Sequence, residues 1–323
     1  MNADRCGQGL ETAHRMLLPA EISCVTIRTV KAWSESFHTA AVFGGVRDTE
    51  TARLFISLPF RTDGIETAYP GCLKTFDARD LDRFLAALDR ELRTVAEECD
   101  EIQVQEIALG NGSAAHFPAD DLTKMIRLIR ESFHVSPRAR VSLTMTPSGF
   151  DFYKLSAVRQ LGNAAICFEL PGLTEETLRR GGYRCSVKKA EDALNCCFQN
   201  GFTDFEVSLT EKKLEPEEAE RTLQTLLAVH PKKITLRDDA EPDFRQRVND
   251  RLTAAGWSRK DNHWYREAQS SMPRCAVQIG CGPGAVSVFD GVPVKSTADF
   301  DFYCAHSDDF EALVKHAIES NHA

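Results

Sequence analysis

Six times between residues 52 and 256 the chain passes from an apolar run of strand length into a stretch whose apolar residues recur every three or four positions. Few architectures tolerate that alternation: a short buried strand followed by an amphipathic helix is a βαβ unit, and repeated units build a parallel sheet covered by helices. The first unit pairs "ARLFISLPF" with "DARDLDRFLAALDRELRTVAEE", where Leu81, Phe84, Leu85, Leu88, Leu92 and Val95 fall on one helical face. Next come "IQVQEIALG" with "PADDLTKMIRLIRESF", "ARVSLTMTP" with "FDFYKLSAVRQLG", and "NAAICFELP" with "SVKKAEDALNCCFQNGF". The last two are "DFEVSLTE" with "EPEEAERTLQTLLAVH" and "KKITLRDD" with "DFRQRVNDRLTAAG". Gly162, Gly201 and Gly256 stand where helices should end in left-handed caps, an independent mark of the boundaries. The expected fold class is therefore α/β, a partial (β/α)6 TIM-like barrel over residues 52–256. After Gly256 the rhythm changes: "WSRKDNHWYREA" predicts a hairpin turning at Asp261-Asn262, followed by the glycine-rich "RCAVQIGCGPGAVSVFDGVPV". Residues 257–323 are expected to form a small C-terminal α+β cap, and residues 1–51 an N-terminal extension of undetermined fold.

At 323 residues the chain is long enough to bury a large core, and its net charge of -9, with no basic cluster interleaved with aromatics, argues against a nucleic-acid partner. No apolar run is long enough to span a bilayer and the charged N-terminal stretch does not read as an export signal, so no membrane association and a cytoplasmic location are expected. The eleven cysteines are odd in number, scattered, and contain no Cys-x-x-Cys pair, which favours free thiols over a disulfide framework or a zinc site.

Chemistry in such a barrel sits at the carboxyl ends of the strands. The first strand ends in Pro59-Phe60 and opens into "RTDGIETAYPGC", which offers Arg61, Asp63, Glu66 and a single Cys72. The second ends in "LGNGSAAHF", a strand-to-helix turn that offers Gly110, Gly112, Ser113 and His116, the histidine best placed to face the mouth. His134 and His230 are expected at helix ends, where the helix dipole accounts for them. The "GCGPGAVS" run precedes a hairpin, with no helix N-terminus behind it, and so does not read as a dinucleotide site.

Taken in order, "ISLPF", "LGNGSAAHFPADDL", "VSLTMTPSGFDFYKLSAVRQLGNAAICFELPG", "AEDALNCCFQNGFTDFEVSL" and "IGCGPGAVSVFDGV" resemble the radical S-adenosylmethionine superfamily over about residues 52–305. The branch it is similar to comprises the oxygen-independent coproporphyrinogen III oxidases, heme chaperones and anaerobic heme-utilisation enzymes. The resemblance implies a [4Fe-4S] cluster held by Cys-x-x-x-Cys-x-x-Cys directly after the Pro-Phe strand end. Those positions here are Arg61, Ile65 and Ala68, none of which supplies a thiolate. The acidic side chain implied after the third strand falls near Thr144, the glutamine-bearing strand end aligns loosely with Glu169 to Gly172, the loop after strand five is replaced by "TEKKLEPEE", and a histidine before the late serine is Val286.

With several contacts to one cofactor changed together, the expectation is that neither the [4Fe-4S] cluster nor S-adenosylmethionine is bound, and that no metal site remains. Three functional readings follow. In the first, the chain is a degenerate, non-catalytic relative that binds a heme or other tetrapyrrole, Arg61 pairing with a propionate while His116 or Cys72 approaches the iron, or that serves as partner subunit to a genuine radical enzyme. The second is other chemistry at the same mouth using Arg61, Asp63, Glu66 and His116. The third is a radical enzyme of heme or porphyrin metabolism with unusual cluster ligation.

Overall fold

The computed structural model describes residues 51–61, 74–75, 77–99, 102–267, 275, 277–289 and 292–320. In chain order the elements begin with β1 (Thr51–Ser57), the short β2 (Phe60–Arg61) and β3 (Lys74–Thr75), α1 (Ala78–Glu98), β4 (Gln103–Gly110), α2 (Ala119–Ser132), β5 (His134–Met145) and α3 (Phe152–Gln160). They continue with β6 (Ala164–Leu170), α4 (Glu175–Arg180), α5 (Val187–Gln199), β7 (Phe205–Leu209), α6 (Pro216–Val229), β8 (Lys233–Leu236) and α7 (Pro242–Ala254). The last are β9 (Ser258–Lys260), β10 (His263–Tyr265), β11 (Val277–Cys281), β12 (Val286–Phe289), β13 (Val292–Lys295), α8 (Phe300–His306) and α9 (Phe310–Ser320).

The six expected strands stand side by side in chain order, β1-β4-β5-β6-β7-β8, all parallel, within an 11-stranded sheet that extends to β11-β12-β13 at one edge and β10-β9 at the other. This is the α/β, TIM-like half-barrel expected from the alternation. Gly162, Gly201 and Gly256 have φ of 92°, 68° and 84°, the left-handed geometry that closes a helix without a Cβ penalty. The hairpin turns at Asp261-Asn262 between β9 and β10, which pair antiparallel, and Asp261 takes φ 56°. His230 is the left-handed C-cap of α6 and His134 opens β5 directly after α2.

The segment after Gly256 supplies both edges of this same sheet. β10 pairs antiparallel with β8, while β11 returns to pair parallel with β1, Leu54 opposite Ile279 and Ile56 opposite Cys281. That second pairing joins stretches far apart in sequence and leaves no local periodicity to announce it. Residues 1–50, most of the extension, lie outside the described residues.

The two faces of the sheet differ in kind. Leu54, Ile56, Val104, Ile107, Leu109, Val141, Leu143, Ile166, Phe168, Val207, Leu209 and Ile234 are buried in one core with the helix residues Leu85, Leu88, Met125, Val158, Leu194, Leu226 and Val248. The inner face is polar: Arg53, Glu106, Arg140, Ser142, Thr144, Cys167, Glu169, Glu206, Ser208, Lys233 and Thr235 alternate with those core residues, and each keeps partial exposure. Parallel strands covered on both faces run almost continuously apolar. Here a period-two polar series marks a wet lumen instead of a side-chain-filled barrel centre. A bulge between Val104 and Glu106 on β4 is where two partly exposed polar residues, Gln105 and Glu106, follow one another.

Candidate ligand site at the barrel mouth

The mouth is assembled by backbone contacts so close that Gly112 and Gly282 leave no room for a Cβ. A Cβ on Gly112 would stand 2.3 Å from the Phe60 carbonyl oxygen and 2.6 Å from that of Leu58. Gly282, at φ 99°, would bring a Cβ to 2.4 Å from the Ser57 carbonyl oxygen. The exit of β1 is thereby clamped from both sides. Leu58 N donates to the Gly110 carbonyl at 2.8 Å and Ser113 N to that of Phe60 at 3.2 Å. Asn111, left-handed at φ 67°, donates from Nδ2 to Ser57 Oγ at 2.9 Å, and Ser57 Oγ donates to the Pro283 carbonyl.

Of the site residues named from sequence, Gly110, Gly112 and Ser113 stand at this mouth. Gly110 abuts Phe55 and Thr144 from the inner face. The Ser113 hydroxyl accepts from Ala115 N at 3.2 Å and Thr146 N at 3.0 Å, and lies 3.3 Å from Thr146 Oγ1. It is buried and joins the ends of β4 and β5, a use as an N-cap that its place before the 3-10 turn Ala114–His116 explains. Arg61 extends a two-residue parallel ladder with Thr75, and the path of its side chain, like that of His116, lies outside the described residues. Asp63, Ile65, Glu66, Ala68 and Cys72 lie outside them as well.

Below the mouth the lumen holds charged groups in pairs. Arg53 lies 3.6 Å from Glu106, Arg140 2.8 Å from Glu206, and Lys233 also pairs with Glu206. Desolvation works against the Glu206 charge, yet Lys233 and Arg140 outweigh it and hold the carboxyl below its ordinary range. Cys167, between these charges, has its thiol pushed up to about 12, mainly by burial. Glu169, two residues farther toward the mouth, has no ion pair or side-chain hydrogen bond among the described residues, and burial alone pushes it up to about 7. Its backbone carbonyl accepts the Tyr183 hydroxyl at 3.1 Å. Beside it, at the ends of β6 to β8, a cleft of about 760 Å3 is lined by Arg180, Tyr183, Thr210, Lys212, Lys213 and Arg237. Its cations are balanced locally, Arg237 and Lys212 by Asp239, Arg180 by Glu218 and Lys213 by Glu215. Glu169 entered the sequence reading only as the start of the loosely aligned Glu169 to Gly172 stretch, and Ser208 and Thr235 not at all; the polar alternation in "ICFEL", "FEVSL" and "KITL" is the feature that reveals them as one set.

A parallel half-barrel of this order, open at the carboxyl ends of its strands, is the fold of the radical S-adenosylmethionine enzymes. Coproporphyrinogen III oxidase from Escherichia coli, a radical SAM enzyme, superposes with a TM-score of 0.74 at 16% identity, covering 90% of this chain and 79% of that one. In sequence the chain is 23% identical over 214 residues to the oxygen-independent coproporphyrinogen III oxidases of Salmonella typhimurium and Salmonella typhi, a stretch covering 64% of this chain and 46% of each relative. The match thus spans about half the length of those curated relatives. No family profile matches the chain. In sequence the chain is thus similar to the oxygen-independent coproporphyrinogen III oxidases, and its fold is that of the Escherichia coli enzyme.

At the three positions where the resemblance places the thiolates of a [4Fe-4S] cluster, the residues present do not suit iron. Arginine, isoleucine and alanine at 61, 65 and 68 offer iron no thiolate. Among the described residues no three His, Cys, Asp or Glu side chains are grouped closely enough to hold a metal ion. Burial keeps the lumen thiol of Cys167 protonated and pushes that of Cys281, at the end of β11, well up, so neither is a ready thiolate. No helix among the described residues is long and apolar enough to cross a membrane.

Proposed function

We propose that the chain is a non-catalytic relative of the coproporphyrinogen III oxidases that retains the barrel as a receptor for a carboxylate-bearing tetrapyrrole. The observation that carries this reading is that positions 61, 65 and 68, where the resemblance places the cluster thiolates, hold arginine, isoleucine and alanine beside a strand end held by close backbone contacts, Gly112 against Phe60 and Gly282 against Ser57. Arg61 now stands at the first thiolate position, where its guanidinium fork suits a propionate. S-adenosylmethionine, deprived of the cluster iron and of the carboxylate replaced near Thr144, binds weakly at best. The test is a heme titration followed at the Soret band with the wild type, Arg61→Ala and His116→Ala. Saturable binding weakened roughly tenfold by either change supports the reading. Non-saturating binding indifferent to both overturns it.

A further inference from the structure

Arg53, Glu106, Arg140, Lys233 and Glu206, five charged groups of the lumen, settle into ion pairs, and Glu169 does not. Buried charges in proteins are normally matched by a counter-charge or a set of hydrogen bonds. Arg53 has Glu106, and Arg140 and Lys233 share Glu206. Glu169 faces the same lumen from β6, partly exposed to its interior yet packed round by protein, with no counter-ion among the described residues.

Its neighbours across the sheet are hydroxyls. In the strand register Glu169 stands opposite Ser208 on β7, Ser208 opposite Thr235 on β8, and Thr235 opposite His263 on β10. Adjacent strands are about 4.8 Å apart, and residues in register point to the same face, so the four side chains form one row across the lumen. At its far end Thr235 Oγ1 and His263 Nδ1 are 3.0 Å apart. The Ser208 hydroxyl has no partner among the described residues, and like Glu169, Thr235 and His263 it is partly exposed.

We propose that this row is a binding site for a small organic cation, a primary amine carrying a hydroxyl or amide a few carbons away. The ammonium would take its place between the Glu169 carboxylate and the Ser208 hydroxyl, and the polar tail would reach Thr235. An ammonium supplies three donors to acceptors that otherwise have none, and its charge completes the pairing of the lumen. The site does not involve Arg61 or the loop that follows it, so it stands independently of tetrapyrrole binding.

Binding of a cation there is proton-linked, because Glu169 must ionise to receive it. The groups that face it are Cys167 on its own strand, Glu206 on β7, Lys233 on β8, Arg140 on β5 and Tyr183 on the loop beyond β6. Glu206 is held ionised, with Lys233 and Arg140 as its partners, burial keeps Cys167 and Tyr183 in their neutral forms, and burial with the Lys233 charge holds His263, at the far end of the row, below the ordinary imidazole range, so that Glu169 is the carboxyl of the row whose charge changes near neutrality.

The probe is 4-aminobutan-1-ol, titrated by calorimetry into the full chain at pH 6 and pH 8, with Glu169→Gln and Ser208→Ala as variants of nearly unchanged shape. Carboxyl-carbon NMR of Glu169 runs in parallel. Saturable millimolar binding at pH 8, weakened about tenfold at pH 6 and in Glu169→Gln and several-fold in Ser208→Ala, with the Glu169 titration midpoint falling when the amine is present, supports the site. Absence of saturable binding at pH 8, equal binding by Glu169→Gln, or a midpoint unmoved by the amine overturns it.

Discussion

The side chain of Glu91, midway along α1, accepts a hydrogen bond from the backbone N–H of Gly282 at 2.7 Å, tying the first helix to the turn that ends β11. The same oxygen accepts the Tyr303 hydroxyl at 2.8 Å, while the other carboxyl oxygen is buried without a partner. One carboxyl thus fixes the turn that clamps Ser57, and with it the exit of β1 toward the mouth.

Glu91 should make stability fall as pH rises. Burial raises its carboxyl from 4.5 to about 7, the two hydrogen bonds opposing the shift without cancelling it. Between those values the folded chain keeps a proton that the unfolded chain has released, so stability is greatest below pH 4.5 and is lost on the way to 7, by up to about 3 kcal/mol. Glu169 adds a contribution of the same sign. Urea midpoints at pH 5 and 8 should converge in Glu91→Gln, which keeps acceptors for Gly282 and Tyr303. Glu91→Leu should cost about 2–4 kcal/mol at pH 5 by leaving both donors buried and unpaired. An undiminished pH slope in Glu91→Gln would contradict the assignment.

The contact of Gly112 with β1 should be equally unforgiving. Gly112→Ala must push the Phe60 and Leu58 carbonyls apart and break the Ser113 N–H bond to Phe60. A loss of about 2 kcal/mol or more is expected, and a loss also for Gly149→Ala, whose Cβ would stand 2.7 Å from the Ala115 carbonyl oxygen. Both variants should therefore melt several degrees lower. A Gly112→Ala protein as stable as the wild type would show that the mouth is looser than described.

Thiol reactivity provides a third check. Burial pushes Cys167 up to about 12 and Cys281 well above its ordinary value. Alkylation with iodoacetamide at pH 8, read by peptide mass spectrometry, should leave both unmodified in the folded chain and modify them in urea. Rapid native-state labelling of Cys167 would place a thiolate in the lumen and reopen the question of metal binding there.

The six units and their helix stops were legible because both rest on local patterns: period 3.6 on the helices, and glycine where φ must be positive, as at Gly162 and Gly256. The pairing of β11 with β1 was not, since Val277–Cys281 carries no local mark of the strand it meets. Glu169 was legible only as part of a loosely aligned strand end, and its place in the lumen was not, for a different reason. Its strand "AICFEL" reads as apolar when scanned for a core, and the polar residue gains meaning only when Ser208 and Thr235 are seen in register beside it. Ser113 was legible as a hydroxyl at the mouth, whereas its engagement by Ala115 and Thr146 depends on the meeting of two loops.

The central claim is that the strand end at which the resemblance places three thiolates supplies none. Anaerobic reconstitution of the full chain with ferrous iron and sulfide, followed by desalting and iron determination, tests it most directly. The account predicts a colourless protein with iron far below one atom per chain, since Arg61, Ile65 and Ala68 give a cluster no anchor. About four irons and four sulfides per chain, with the broad visible absorbance of a [4Fe-4S] centre, would contradict it.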